Sequence, residues 1–336
     1  MLKKTPLRIR GHGSKDFYGQ RLQGDFLDVS GYRGIVEYEP TELVITVRAG
    51  TPIGEVEAAM AQAGQMLAFE PPRYNGGGTI GGAIAAGLCG PRRPYVGAAR
   101  DFVLGVRVLD GNGSDLSFGG QVIKNVAGFD ASRLMAGAMG TLGVLLEVSL
   151  KTLPRPKAEA TLRFAMGEND AIRVMNEWAG KPLPLSATCY ADGVLTVRLS
   201  GAESAVRAAR VKLGGEEVTG AENFWSSLRD QTDGFFFKAP SLWRVSLPAT
   251  TPPLNLPQPQ LIEWGGALRW VAGDVEAALL RAKVAALGGH VTLFRAAEKS
   301  VPVFHPLAPG IAALHRRLKS ALDPHGILNP GRMYDF

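Results

Sequence analysis

The chain has 336 residues, 46% hydrophobic and 20% charged, which excludes a disordered polymer and leaves room for two domains with a sizeable core. Its net charge of +6 is spread over scattered basic residues that are not interleaved with aromatics, so a nucleic-acid partner is not expected; an anionic small ligand, an acidic protein or an anionic lipid fits instead. Cys89 and Cys189 are far apart and form no CxxC pair, which excludes a cysteine-ligated iron–sulfur cluster in this chain. With no signal-like start and no span-length apolar run, a cytoplasmic protein is expected, at most peripheral at the inner face of the plasma membrane.

In chain order, Leu7-Arg8-Ile9-Arg10 alternates like a short strand. It runs into Gly11-His12-Gly13-Ser14-Lys15, either an anion cradle or a plain tight turn with a solvated lysine. Strand-like runs follow over 26–29, 35–38 and 43–47. Pro52 then stands at a first helical position, with Val56, Ala59, Met60 and Ala63 on one face and Gly64 closing the helix. The stretch from Pro71 to Gly113 organises the first half. A proline pair enters it, Gly76, Gly77 and Gly78 stand in a row, and Gly81 and Gly82 lead through a small-residue segment, 79–88. A strand at 103–109 then meets 116–118 through Asp110-Gly111-Asn112-Gly113, a hairpin signal. Glycines that let a ligand approach the amides, at the opening of a short helix, suit a phosphate-bearing cofactor.

Asp130 is placed to cap a short helix bearing Leu134 and Met135, and Gly137, Gly140 and Gly143 lead into a buried strand at 144–153. Pro154 and Pro156 end the first unit. Beyond Ala158 the pattern reads strand 159–165, helix 168–178, strands 186–191 and 194–200, helix 203–213 and strand 215–219, the split order of a ferredoxin-like layer. Strands at 242–247, 260–264, 267–271 and 291–295, with a helix at 274–286, extend the same antiparallel sheet. A helix at 307–322 precedes DPHGILNPGRMY. The expected class is α+β, with domains at 1–156 and 157–300 and a C-terminal helix and tail at 301–336.

Gly76, Gly78 and Gly81 match G-x-G-x-x-G, but that fingerprint has meaning only directly after a buried strand and within a βαβ unit. Here it follows Pro-Pro-Arg-Tyr-Asn, and a Rossmann domain is not expected.

The blocks RGHGSK, GGGTIGGAIAAGLCGPRRPYVGAARDFVLG, KNVAGFD…GTLGV and DPHGILNPG occur in this order. Together they resemble the vanillyl-alcohol-oxidase family, whose FAD-binding domain is of the PCMH type. At finer grain, TPLRIRGHGSK, GIVEYEPTELVITVRAGTP, EPPRYNGGGTIGGAIAAGLCGPRRP and DPHGILNPGRMY are similar to the E subunits of bacterial glycolate oxidases.

The resemblance implies a two-subdomain FAD-binding domain and an antiparallel-sheet cap over the flavin. It implies that Gly11, His12, Gly13, Ser14 and Lys15 face Gly78, Thr79, Ile80, Gly81 and Gly82 across the FAD pyrophosphate, with Pro71 at the entry to that tract. Gly87, Gly90 and Asp101 would line the path from ribityl to flavin, and Gly140, Gly143 and Val144 would approach the adenosine. Asn329 would return to the isoalloxazine. Only six residues precede Leu7, where such domains carry a further strand–helix pair; either the start is trimmed or part of the small FAD subdomain is lacking, which would weaken FAD binding. Covalent relatives use a histidine four residues after the loop arginine; counted from Arg10 that position is Ser14, with His12 two residues after Arg10, so non-covalent FAD is expected. The implied partners are a larger flavin subunit and an iron–sulfur subunit, and the implied substrate of the complex is a small 2-hydroxy acid.

Oxidising such an acid requires a base for the hydroxyl proton and a cation for the carboxylate. No metal-ligand spacing links the five histidines, so no metal is expected. His290 either overlooks the flavin or is a loop histidine with a structural hydrogen bond. Arg269 and Arg295, on cap strands, either meet a carboxylate or are solvated. Cys89 reads as a packing residue, and Phe235-Phe236-Phe237 with Trp225 and Trp243 as core or a partner surface. The flavin bed is thus better supported than a substrate site. An accessory FAD subunit of a glycolate oxidase is expected, against a stand-alone oxidase of another hydroxy compound or an assembly scaffold with weak FAD binding.

Overall fold

The computed structural model describes residues 4–120 and 130–335; Lys124–Phe129 of the KNVAGFD block lie outside them. The chain divides into two compact units. One comprises 1–89, 97–155 and 306–336, and the other 90–96 and 156–305.

The first unit begins with β1 (Leu7–Arg10) and β2 (Asp25–Asp28), paired in parallel. β3 (Ile35–Glu39) and β4 (Val44–Arg48) follow, and Val44 to Val47 are all buried. α1 (Ile53–Gln62) buries Ile53, Val56 and Met60, the face that the 3.6-residue spacing requires. β5 (Gln65–Met66) precedes α2 (Ile80–Ala86), which Thr79 caps by accepting from the Gly82 amide at 3.1 Å. The short α3 (Arg93–Val96) belongs to the second unit, whereas α4 (Ala99–Phe102), β6 (Val103–Leu109) and β7 (Asp115–Gly119) return to the first. The β6–β7 turn is held by Asp110, whose Oδ1 accepts from the Asn112 and Ser114 amides at 2.8 Å each. With β8 (Val144–Lys151) these strands form a five-stranded antiparallel sheet ordered β3-β4-β8-β6-β7. β9 (Leu153–Pro154) pairs with β5.

The second unit contains β10 (Ala158–Ala165), α5 (Glu168–Ala179), β11 (Leu185–Ala191), β12 (Val194–Gly201), α6 (Glu203–Leu213) and β13 (Glu216–Glu217). α7 (Glu222–Asp230), β14 (Leu242–Ser246), β15 (Gln260–Glu263), β16 (Leu268–Ala272), α8 (Ala277–Ala286) and β17 (His290–Arg295) follow. Among the described residues the sheet is eight-stranded, ordered β13-β10-β12-β11-β15-β16-β14-β17 and antiparallel throughout. Numbered within itself, each half reads 4-1-3-2, the ferredoxin-like order, and the two halves join through their second strands, β11 and β15. The halves differ in one connection. The first uses α5 between its first and second strands, and the second uses the proline-rich loop at 247–259. Two clusters back the sheet, one around Leu162, Met175 and Leu199, the other around Trp243, Val271 and Leu293.

The segment 90–96, read with the first domain in the sequence, packs in the second unit for a local reason. The Gly90 carbonyl accepts from Trp264 Nε1 at 3.1 Å, Arg92 meets Glu159 at 2.6 Å, and the Arg93 guanidinium lies 4.4 Å from the Trp264 ring centroid. The tail belongs to the first unit. After α9 (Pro309–Leu322), Leu328 bridges Leu7 in parallel, and the Leu7 amide donates to the Ile327 carbonyl at 2.7 Å.

Candidate functional site

The first unit holds an open cleft. Four stretches build it: Ile9 to Asp16, the opening of α2, the loop from Ala138 to Gly143, and the tail residues Asn329 and Arg332.

The Gly11–Lys15 loop turns tightly, with the Asp16 amide donating to the Gly13 carbonyl at 3.1 Å and the Tyr18 amide to that of Lys15 at 3.0 Å. Gly13 sits at φ +79°, a conformation that glycine adopts without strain. Among the described residues, the amides of Gly11, His12, Gly13 and Ser14 find no acceptor within the chain. The loop therefore presents consecutive N–H groups to an anion, a nest held open by the fold. Asp16 takes up Arg8 at 2.8 Å and Arg10 at 3.4 Å.

Arg332 supports this loop from behind. It is 6% exposed and donates from Nη2 to the carbonyls of Lys15 (3.1 Å) and Asp16 (3.2 Å), and from Nη1 to that of Arg21 (3.4 Å). Burial lowers its pKa to about 10, so the guanidinium remains charged at neutral pH.

The opposite wall is the start of α2. A Cβ at Gly11 would lie 2.6 Å from Thr79 Oγ1, and one at Gly81 2.6 Å from the Ala49 Cβ, so both glycines are fixed by close approach. The amides of Ile80 and Gly81 donate to the carbonyls of Thr51 (2.9 Å) and Ala49 (2.8 Å), and Gly82 donates to Thr79. The sequence suggested two facing rows of donors; in the second, Ile80, Gly81 and Gly82 are already bonded because the glycine pair seats α2 beside Ala49 and Thr51, while the amides of Gly78 and Thr79 find no acceptor among the described residues.

The third wall is held by Asn329. Its Oδ1 accepts from the Ile9 amide at 2.8 Å, and its Nδ2 donates to the Met139 carbonyl at 2.7 Å. A Cβ at Gly140 would stand 2.7 Å from that Nδ2. The rest of the cleft is apolar, with Val29, Ala85, Met135, Met139 and Leu145 among its lining.

Of the residues expected at the site, Gly11, His12, Gly13, Ser14, Lys15, Thr79, Gly81, Gly82, Gly140, Gly143 and Asn329 line this cleft. Gly78 lies in an adjoining depression with His12, Arg33 and Arg73. Pro71 is buried apart from the cleft, Ile80 is in the core, and Val144 packs with Ile327 and Leu328. Gly87 is the left-handed end of α2 at φ +63°, 3.0 Å from the Gly137 backbone by its ideal Cβ. Asp101 caps α4, its Oδ2 accepting from the Ala98 amide at 2.8 Å. Gly90 belongs to the second unit. Sequence reasoning did not assign Arg332, Met135 or Met139 to the site, although Arg332 lies in the DPHGILNPGRMY block and Met135 on the short helix beside Leu134.

Arg269 is fully buried and donates to the carbonyls of Pro252 (2.7 Å), Thr251 and Gly266 (3.4 Å). Arg295 donates to Gln231 Oε1 (2.6 Å) and the Phe236 carbonyl (3.3 Å). Both arginines hold loops of the second unit in place. His290 opens β17 opposite Ser246; desolvation, then the charges of Arg244 and His305, hold its imidazole below its usual pKa. Trp225, Phe235, Phe236 and Trp243 are buried and Phe237 is exposed, so that run is mainly core. Cys89 accepts from the Ala99 amide at 3.2 Å, a packing position. Among the described residues, no group of three His, Cys, Asp or Glu could hold a metal ion, and no helix is long and apolar enough to cross a membrane.

A family model described as FAD binding domain matches residues 2–119, and one described as FAD linked oxidases, C-terminal domain, matches residues 307–333. The chain is 51% identical over 331 residues to the glycolate oxidase subunit GlcE of Escherichia coli (strain K12), covering 98% of this chain and 93% of that one. It is 36% identical over 135 residues to the glycolate oxidase subunit GlcD of Bacillus subtilis (strain 168), covering 40% of this chain and 28% of that protein. Among solved structures, p-cresol methylhydroxylase with substrate bound superposes with a TM-score of 0.70 at 17% identity, covering 99% of this chain and 85% of that one. An alkyldihydroxyacetonephosphate synthase follows at 0.65 and 13%, covering 97% and 71%. These two likenesses show the PCMH-type fold.

Proposed function

The chain belongs to the family of GlcE-type glycolate oxidase subunits, which carry the FAD binding domain, and from that premise we propose that it is the FAD-binding subunit of a complex that oxidises glycolate. The observation that carries this reading is the 51% identity over nearly both chains, joined to a cleft whose glycines and open amides suit a dinucleotide.

The residues present fit FAD. The amides of Gly11 to Ser14 would take the pyrophosphate, with each charge-assisted hydrogen bond contributing on the order of 1.5–3 kcal/mol. Met135, Met139 and Leu145 would hold the apolar adenosine end and exclude water from it, and Asn329 and Arg332 keep the walls in place. Bound FAD supplies a two-electron acceptor for a 2-hydroxy acid. Ser14 stands where covalent relatives carry the linking histidine, so the cofactor is held by these contacts alone.

The partners are a larger flavin subunit of the GlcD kind and an iron–sulfur subunit to which electrons pass; the two cysteines of this chain cannot themselves ligate a cluster. We assign hydroxy-acid oxidation to the larger flavin subunit. This is supported by Arg269 and Arg295, the two cationic candidates, whose guanidinium groups are taken up by loop carbonyls and Gln231. The test is anaerobic glycolate addition to the purified chain and to the assembled complex while the flavin spectrum is followed. Both should be yellow, and only the complex should bleach. Bleaching of the isolated chain would overturn its accessory role, and a colourless, FAD-free chain would overturn the cofactor assignment.

A further inference from the structure

Lys319 stands in the last turn of α9, where a lysine ordinarily carries its charge out to water. Here its side chain is only 13% exposed. The ammonium donates to Asp323 Oδ2 (2.5 Å) and to the carbonyls of Thr141 (2.7 Å) and Leu328 (2.9 Å), which occupies all of its N–H groups. The fully buried Asp323 carboxylate accepts in turn from the amides of Ile327 (3.1 Å) and Leu328 (2.8 Å). The β6–β7 turn closes over it: the Gly111 amide donates to the Leu322 carbonyl at 2.8 Å, and a Cβ at Gly111 would collide with Asp323 Oδ1.

These contacts bracket two strained residues of the cleft wall. Met139 and Asn329 sit at φ +51° and +42°, left-handed positions that residues other than glycine keep only where their surroundings fix them. The two are joined through Asn329 Nδ2 and the Met139 carbonyl. Lys319 holds the chain on either side of that bond, at Thr141, two residues after Met139, and at Leu328, one residue before Asn329. Met139, Gly140, Gly143 and Asn329 line the cleft, whereas Lys319 stands behind them. Without the ammonium, the Thr141 and Leu328 carbonyls lose this donor and Asp323 becomes a buried charge with no cation beside it. The strained pair then loses a support that no residue of the lining supplies.

We propose that Lys319 is a positioning residue for the adenosine half of FAD. It acts through the Thr141 and Leu328 carbonyls, which fix the 138–143 loop and Asn329 as the wall against which that half of the cofactor packs. The inference rests on the reading that the cleft binds FAD with its adenosine toward Met135, Met139 and Leu145.

The test titrates the full chain, stripped of flavin, with FAD and with FMN, which carries the isoalloxazine and one phosphate but no adenosine. Calorimetry gives both dissociation constants, and urea unfolding of the stripped chain gives its stability separately. Lys319→Met should raise the FAD constant more than about tenfold, the scale of one charge-assisted hydrogen bond, and leave the FMN constant within about twofold of wild type. Lys319→Gln, whose amide still donates to a carbonyl, should fall between wild type and Lys319→Met in its ratio of the two constants. A loss of stability with both constants unchanged marks a purely structural lysine and overturns the proposal, as does equal weakening of FAD and FMN. Should Lys319→Met fail to fold, Lys319→Gln decides, and a wild-type ratio in that variant overturns the proposal. A wild-type chain that takes up neither flavin overturns the reading of the cleft, and the proposal with it.

Discussion

Arg332 grips the glycine loop by its carbonyls, donating from one nitrogen to both Lys15 and Asp16. The side chain never enters the row of N–H groups it supports; it fixes the outward carbonyls so that the amides of the same loop face the cleft. Arg332→Met should leave those carbonyls short of donors, reduce stability by about 2–4 kcal/mol and weaken FAD retention, whereas Arg332→Lys should recover part of the stability because one ammonium cannot span the same fork. Urea unfolding with flavin fluorescence measures both.

Gly11 and Gly54 separate close approach from helix propensity. A Cβ at Gly11 meets Thr79 Oγ1 at 2.6 Å, whereas at Gly54, inside α1, it meets nothing within 4 Å. Gly11→Ala should force the loop off Thr79, cost about 1–3 kcal/mol and leave the protein largely colourless. Gly54→Ala should raise stability by about 0.5–1 kcal/mol with the colour unchanged.

Arg269 should prove structural. Removing its guanidinium leaves the buried Thr251 carbonyl without its donor and releases the Pro252 carbonyl, so Arg269→Met should lower stability by about 2–4 kcal/mol. Glycolate turnover per folded complex should stay within about twofold, since the change in rate would reflect no lost transition-state contact. A large fall in kcat without loss of stability would return Arg269 to the chemistry.

Glu159 predicts the acid response of the second unit. Burial raises its carboxyl pKa, but hydrogen bonds from Ser200 and Arg92, with the charges of Arg92 and Arg198, outweigh burial and hold it below the usual value of 4.5. Its folded pKa is depressed, so its contribution is full above the unfolded value and is lost as pH falls through the folded one. Unfolding of wild type and Glu159→Gln should therefore differ at about pH 6 and converge only once the pH has fallen below the depressed folded value. A difference that persists in acid would sink the assignment.

Much of this architecture was legible in sequence because its periods are clean. The helix facing Val56 and Met60, the hairpin at Asp110 and the strands of the first ferredoxin-like half lie where spacing put them. The second half was harder to see as a repeat, since a proline-rich loop stands where α5 stands in the first. α7 offered only Trp225 and Leu228 as buried positions, too few for a periodic signal. At the site, glycine spacing found the loop and α2, but could not say which amides were already bonded; that depends on the carbonyls of Ala49 and Thr51, about 30 residues upstream. Arg332 lies in irregular backbone, where no period exists to reveal it.

The pairing of Leu7 with Leu328, and of Ile9 with Asn329, sets an order of events in the making of the protein. β1 pairs at once with the neighbouring β2, yet its partners in the tail, Leu328 and Asn329, are made more than three hundred residues later. The second unit, complete by residue 305, can collapse while the cleft still lacks a wall, so long-range closure waits until residues 327–332 are made. Nascent chains stalled before residue 327 should carry a protease-resistant second unit and no flavin, and capture of the cofactor should coincide with emergence of residues 327–332.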